Sequence, residues 1–303
     1  MKMSSKAHTS HPGRLRSAAL AGFLLALALV TGWGCSSPKA PDSSRIFLDE
    51  AFVTLFPELA EKLVPRGADY SGFALTDLES ARQKAIQQSS KGAIIASPLV
   101  AAGTIGAKGR IISPFLPSPI ASVSGIKTIL YDYKSAYELM GARAGRVRAV
   151  KAGTAPCALV FQPNSMRGTD ALESFRKGYA RQADPESLTV MLIEPSATTV
   201  DLAGATMSAI GKAIAMKPAC LVVALDDAAR TIAALSEAKK IILFGDVTAW
   251  RETSGATRVF DYWLEGNPGK IADMALRLLE SKDALPEASY LPLTRRARFP
   301  RIF

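Results

Sequence analysis

Short, continuously apolar runs recur along this chain, and each is followed by a stretch in which apolar residues return every three or four positions. The runs lie at 46–48, 70–75, 93–96, 110–115, 128–131, 158–161, 189–193, 221–225 and 241–244. The stretches between them predict helices over 52–63, 77–89, 135–149, 169–182, 200–216, 228–238 and 270–281. Runs that are apolar at every residue, not at every second one, mark strands buried on both faces. Helices of ten or more residues between such strands mark parallel connections. Thr76 and Glu79 read as a capping box ahead of Leu78, Ala81, Ala85 and Ile86, and Lys91-Gly92 closes that helix. Pro218 stops the helix before the run at 221–225. Nine strands are too many for one ordinary open sheet. The pattern therefore predicts an α/β fold with two doubly wound parallel-sheet lobes, dividing near Asp132.

A different pattern precedes residue 45. Lys2, Lys6, Arg14 and Arg16 stand without any acid, followed by 13 apolar residues from Ala18 to Val30 and then Thr31-Gly32-Trp33-Gly34-Cys35-Ser36-Ser37. A basic start, an apolar centre and small residues before a cut site make a secretory signal over 1–34. As a helix the apolar run spans roughly 20 Å, short of the roughly 30 Å hydrocarbon core of a bilayer. Cys35 at the cut site resembles the lipobox of bacterial lipoproteins, whose cysteine is acylated, palmitate being a typical chain, and becomes the mature N-terminus. Gly32 and Trp33 depart from the usual residues there. The bland alternative is an uncleaved anchor or a free structural cysteine. The resemblance implies a lipoprotein held to a cell-envelope membrane, facing the periplasm or the outer surface. Residues 35–44, rich in Pro and Ser, form its tether.

Export changes the charge balance. The full chain carries +10, and loss of the four basic residues of the signal leaves +6 on 269 residues. Arg295, Arg296, Arg298 and Arg301 hold much of that excess near the C-terminus, so the body is only mildly basic and nucleic acid is not an expected partner. Contact of these arginines with anionic lipid competes with a solvated tail. Both histidines, His8 and His11, lie in the signal. The mature chain thus lacks the usual general base, the histidine-paired nucleophiles and the commonest zinc ligand, and no cofactor or metal is expected. Cys157 and Cys220 each open an apolar run and read as buried thiols, with a disulfide between them as the alternative.

The order of segments from 45 to 293 resembles the type I periplasmic binding proteins, the solute receptors of ABC importers. The strand CALVF leads through the loop QPNSMRGTD to Phe175-Arg176-Lys177-Gly178-Tyr179, which is similar to the family's F-x-x-G-F. Asp226-Asp227-Ala228-Ala229 is similar to N/D-D-x-A, and IILFGD is similar to V-V-G-F-D, whose aspartate faces the ligand and is Asp246 here. The helix segment 137–145 fits a G-x-x-A-G segment, and 260–265, Gly269 and the helix at 270–281 look like a return crossing to the first lobe. The resemblance thus implies two lobes joined by a hinge, the first covering 45–132 and completed by about 247–282, the second covering 133–246, with 283–303 as a C-terminal tail. Leu48-Asp49-Glu50-Ala51-Phe52 replaces the D-x-S-F-N of nucleoside receptors, and Glu173 stands where ribose-type receptors place an arginine.

In open parallel sheets the ligand crevice lies beyond the carboxyl ends of the strands, and two hinged lobes would face those ends toward each other. That rule places Asp49, Phe52, Asp77, Ser97, Asp132, Asn164, Asp226, Asp227, Asp246 and Trp250 as ligand-binding candidates, with Cys35 as the lipidation site. Carboxylates accept paired hydrogen bonds from vicinal hydroxyls, and aromatic faces stack on sugars and bases. Several candidates have structural competitors: Asp77 and one of Asp226 and Asp227 as helix caps, Phe52 with Phe56 as core, and Trp250 as hinge packing. No arginine cluster or glycine-rich phosphate cradle appears, which disfavours a phosphorylated ligand.

The resemblance implies a non-enzymatic receptor that closes on a sugar or nucleoside and presents it to an ABC permease, its partners being that solute, the permease and the membrane. A second reading is a structural or signalling envelope lipoprotein that kept the fold and lost its pocket, favoured if bulky side chains fill the cleft. A third is an envelope hydrolase using Ser97 or Ser165. Neither serine lies in G-x-S-x-G, and neither has a histidine to activate it.

Overall fold

The computed structural model describes residues 44–298 except 65–69, 105, 108, 117–124, 152–154, 165–166, 169, 195–198, 237, 239, 251–252 and 284–285. Cys35, the signal, all of the tether but Ser44, Ser165 and the last five residues of the tail lie outside them.

All nine apolar runs form strands: β1 (Ile46–Asp49), β2 (Tyr70–Phe73), β3 (Ile94–Ala96), β4 (Ile111–Pro114), β5 (Lys127–Tyr131), β6 (Cys157–Phe161), β7 (Leu188–Leu192), β8 (Cys220–Ala224) and β9 (Ile242–Asp246). Three more follow: β10 (Tyr262–Glu265), β11 (Ala288–Leu291) and β12 (Thr294–Ala297). The strands make two six-stranded sheets, ordered β11-β5-β4-β3-β1-β2 and β12-β10-β9-β8-β6-β7. Every pairing is parallel except β10 with β12. The α/β fold of two doubly wound sheets expected from the periodicity is therefore the observed one. Each sheet repeats one winding, outward from β1 or β6 and back past it, so strand order reverses between β1 and β3 and between β6 and β8.

The segment 283–303, expected as a tail, instead supplies an edge strand to each sheet: β11 pairs with β5, and β12 with β10. These strands are short and partly exposed, with Tyr290, Arg295 and Arg296 pointing to solvent, so no buried apolar run announces them. β10 joins the second sheet, whereas the helix Pro268–Glu280 packs on the helix Pro57–Leu63 and on β4 and β5 of the first. The chain thus crosses between the sheets at 266–267. The helix expected over 52–63 is two, Glu50–Leu55 and Pro57–Leu63. Pro57 excludes the helical region for Phe56, whose φ is −129°. The capping box at Thr76 does not form: Leu75–Asp77 is a 3-10 turn, and Asp77 makes no side-chain cap bond to the helix Leu78–Ser89.

Long helix Tyr133–Val150 and helix Asp170–Ala180 lie backbone to backbone. A Cβ on Gly141 would strike the Phe175 carbonyl, and one on Gly178 would strike the Glu138 carbonyl. Glycine is required there by close approach. Where the same long helix meets β8, Cys220 Sγ donates to the Ala144 carbonyl at 3.6 Å. Cys157 and Cys220 are register partners on β6 and β8, both buried free thiols, with their sulfurs 3.1 Å apart. The hydrogen bond shared with Cys220, which keeps the proton on Cys157, and then burial push the Cys157 thiol well above its ordinary range.

Gly178→Ala overpacks a helix pair that cannot yield without moving backbone, so we expect a loss of about 1–3 kcal/mol in urea unfolding. A loss below about 0.5 kcal/mol, the scale of an ordinary surface change, would show that the helices are not in contact at this point.

Candidate functional site

Between the two sheets the carboxyl ends of β4, β5, β9 and β10 surround a cavity of about 520 Å³. The first sheet and its helices contribute Phe56, Glu58, Lys62, Phe115 and Tyr131; the second side contributes Thr248, Trp250, Thr253, Ser254, Glu265, Asn267 and Arg296. Phe115 follows β4 with φ +64°, a conformation in which a bulky side chain is strained. Its ring lies 4.9 Å from that of Phe56 and 5.5 Å from that of Tyr131, so packing holds the strained turn and turns an aromatic wall toward the cavity. Opposite, Glu265 ends β10. Its carboxylate accepts from Thr253 Oγ1 at 3.1 Å and from Arg296 Nε at 3.2 Å, and stays partly exposed. Tyr131 is mostly buried, and desolvation pushes its phenol well above the ordinary tyrosine range, so it is a neutral hydroxyl at any physiological pH.

Next to this cavity a polar cluster is sealed in the interior. Asp246, fully buried, takes four hydrogen bonds. Oδ2 accepts from Arg167 Nε at 2.7 Å and from the Tyr137 hydroxyl at 2.5 Å. Oδ1 accepts from Thr248 N at 2.9 Å and Thr248 Oγ1 at 2.6 Å. Thr248 Oγ1 also meets the Tyr133 hydroxyl at 2.7 Å. Arg167, 2% exposed, donates through Nη1 to the Gln162 carbonyl at 2.7 Å, the Ala224 carbonyl at 3.3 Å and Asp226 Oδ1 at 3.2 Å. Its Nη2 has no hydrogen-bond partner among the described residues.

Burial works against ionisation of Asp246, but the Arg167 charge and the bonds from Thr248 and Tyr137 outweigh it and hold the carboxyl below its ordinary range. At Asp226 the balance is reversed: desolvation raises the carboxyl despite Arg167 and Asn164. The ion pair Arg167–Asp246 therefore joins the loop after β6 to the end of β9, and Tyr137 ties both to the helix Tyr133–Val150.

The remaining candidates divide among several places. Asp49, at the reversal between β1 and β3, is buried; it accepts from Phe52 N at 2.9 Å as a helix cap and from Ser97 Oγ at 2.5 Å. Phe52 is in the core. Asp132 caps the long helix by accepting from Ser135 N at 3.0 Å. Asp227 caps Ala228–Leu235 and pairs with Arg230 at 2.8 Å in the open. Asn164 Nδ2 donates to Asp226 Oδ1 at 2.8 Å at the reversal between β6 and β8. Asp77 is exposed on the 3-10 turn. Trp250 packs on Phe260 and donates through Nε1 to the Leu225 carbonyl at 2.8 Å. Of the ten candidates, Trp250 alone is among the residues described as lining the cavity.

The strand-end rule does place Phe115, Tyr131 and the stretch 246–250, with Thr248 in it, on the cleft, and Arg167 reads as ordering the loop after β6. Sequence reasoning missed the ion pair of Arg167, the part of Tyr137, and Glu265. The last could have been found had 262–265 been read as a strand, since Glu265 is then a carboxylate at a strand end. Nothing in the sequence pairs Arg167 with Asp246 across 79 positions. Among the described residues no group of three or more His, Cys, Asp or Glu could hold a metal ion, and no helix is long and apolar enough to cross a membrane.

No family model matches the chain, and no curated protein matches it. Solved structures do. The arabinose-binding component of an ABC transporter from Shewanella sp. ANA-3, bound to arabinofuranose, is 15% identical with a TM-score of 0.56, over 84% of this chain and 91% of that one. A Mycobacterium smegmatis protein in complex with β-D-fucofuranose is 16% identical, TM-score 0.56, over 85% and 91%. A LacI-family transcription repressor from Corynebacterium glutamicum is 13% identical, TM-score 0.53, over 84% and 96%. At these identities the likeness establishes the architecture: the chain has the type I periplasmic-binding-protein fold.

Proposed function

We propose that this chain is a solute receptor of the cell envelope, anchored through a lipid at Cys35, which closes on a small neutral polar molecule and hands it to an ABC permease without chemistry. Support comes from one observation above the rest: the cavity lies beyond strand ends of both sheets and mixes aromatic faces with acceptors. Phe56, Phe115, Tyr131 and Trp250 supply faces for the apolar side of a sugar ring or for a base; Glu265, Asn267, Thr248 and Thr253 supply acceptors and donors for hydroxyls. Solved neighbours bound to furanose sugars favour a sugar over other polar solutes.

Within this reading Asp246 acts through Thr248. By fixing both the amide and the hydroxyl of Thr248, it sets the group that reaches the cavity, while Arg167 neutralises the buried charge and the Tyr137 hydroxyl donates to it. Hinge closure would exclude water and strengthen each hydrogen bond to the solute.

The reading of a structural or signalling lipoprotein has its own support. Rings of Phe52, Phe56, Phe115, Tyr131, Tyr133, Tyr137 and Phe161 form an unbroken series between the sheets, with centroids 4.9–6.3 Å apart, and occupy much of the space a solute would need.

Calorimetry against pentoses, hexoses and nucleosides separates the two. A receptor binds at least one of them. Glu265→Ala, which removes a charged hydrogen-bond partner worth about 1.5–3 kcal/mol, weakens that binding roughly 10- to 150-fold with little change in melting temperature. If no solute binds and none raises the melting temperature, the structural reading replaces this one. Asp246→Ala removes the nearer carboxylate from the buried Arg167 guanidinium and leaves Asp226 as its one carboxylate partner among the described residues, so we expect a loss of about 3–5 kcal/mol in chemical unfolding. A loss below about 1 kcal/mol would show that water reaches the pair.

A further inference from the structure

One side of the helix Tyr133–Val150 faces away from both the cavity and the helix packed on it. There Leu139, Ala142, Val147 and Val150, together with Ile242 at the start of β9, line a groove of about 370 Å³. The cations Arg143, Arg146 and Lys151 complete the lining, and no acidic residue belongs to it. Val150 is 77% exposed, an unusual state for a β-branched apolar residue with neighbours of its own kind beside it.

The usual structural reason for cations near a helix C-terminus is the helix dipole, whose reach ends within the last turn. Lys151 fits that reason, since its Nζ donates to the Ala219 carbonyl at 3.2 Å. Arg143 and Arg146 do not, because they stand before the last turn, 147–150. Neither forms an ion pair among the described residues, although Glu138 on the same helix holds Lys177 and Arg181. The Arg143 guanidinium lies 4.7 Å from the Tyr262 ring centroid, which holds it against the protein with no carboxylate paired to it among the described residues. A cationic rim over an apolar trough is complementary to a molecule with an anionic head and a hydrocarbon body. It does not suit a sugar, which has no apolar tail to fill the trough and no charge for the rim.

We propose that this face of the second sheet's long helix docks on a bilayer surface by taking up anionic phospholipid: the headgroup phosphate meets Arg143 and Arg146, and acyl carbon fills the trough beside Val147 and Val150. Two arginines without an ion pair among the described residues, beside the exposed Val150 and the half-buried Val147, meet both requirements of interfacial binding, charge attraction and buried apolar area. The solute cavity lies at the carboxyl ends of the strands, whereas Ile242 opens β9 at the opposite end, so a docked protein would keep its cavity away from the lipid.

The full chain is reconstituted in vesicles of phosphatidylcholine alone or with phosphatidylglycerol, and amide hydrogen exchange is followed in peptides covering 139–151. Docking predicts exchange slowed at least fivefold by phosphatidylglycerol, reversal in 1 M salt, and loss of the effect in Arg143→Glu/Arg146→Glu. Val150→Asp changes an exposed side chain without disturbing the core and should abolish the protection as well. Equal exchange in both vesicle types, or protection that survives both variants, would overturn the proposal. So would protection by added laurate in phosphatidylcholine vesicles at the same strength, since that would make the groove a site for free fatty acid.

Discussion

A charge that cannot reach water governs the interior of the second sheet's crest. Asp246 ends β9 with no exposed surface, and its ionised form survives because Arg167, Tyr137 and Thr248 fill all four of its acceptor positions. Each of these partners comes from a different place: the loop after β6, the helix Tyr133–Val150 and the turn after β9. Satisfying one carboxylate therefore fixes the relative positions of three elements. Thr248 is held on both its amide and its hydroxyl, and it is the member of the cluster that reaches the cavity. Local electrostatics and site geometry are the same problem here.

The aromatic series between the sheets is the second constraint. A cleft between two parallel sheets exposes strand ends and their unpaired polar groups, and this chain covers much of that surface with rings. Phe115 adopts a left-handed backbone so that its ring can enter the series. The cavity that remains lies off the line of strand-order reversals, toward β4, β5, β9 and β10. Glu265, partly exposed, is its carboxylate on the second side.

Much of the fold was legible because buried parallel strands write themselves as unbroken apolar runs, and all nine runs became strands. β11 and β12 were not legible: an edge strand buries one face at most, and Thr294–Ala297 carries two arginines. The break at Phe56 was written in Pro57, whose effect on the preceding residue is local. The site was far less legible. Strand-end position correctly marks Asp49, Asp226 and Asp246 as crest residues, yet the rule says nothing of what each one bonds. Asp49 is occupied by Phe52 and Ser97, and Asp246 by partners 79 and 109 positions away. Sequence order shows that a carboxylate stands at a crest; only packing shows whether a solute or a side chain takes its lone pairs.

The most direct measurement is mass spectrometry of small molecules released when gently purified protein is denatured. The account predicts one neutral polar compound, a sugar or a nucleoside, in near-stoichiometric amount, and its absence from Glu265→Ala protein purified in parallel. Release of nothing from protein prepared under conditions that retain bound solutes, or release of an equal amount from the variant, would contradict it.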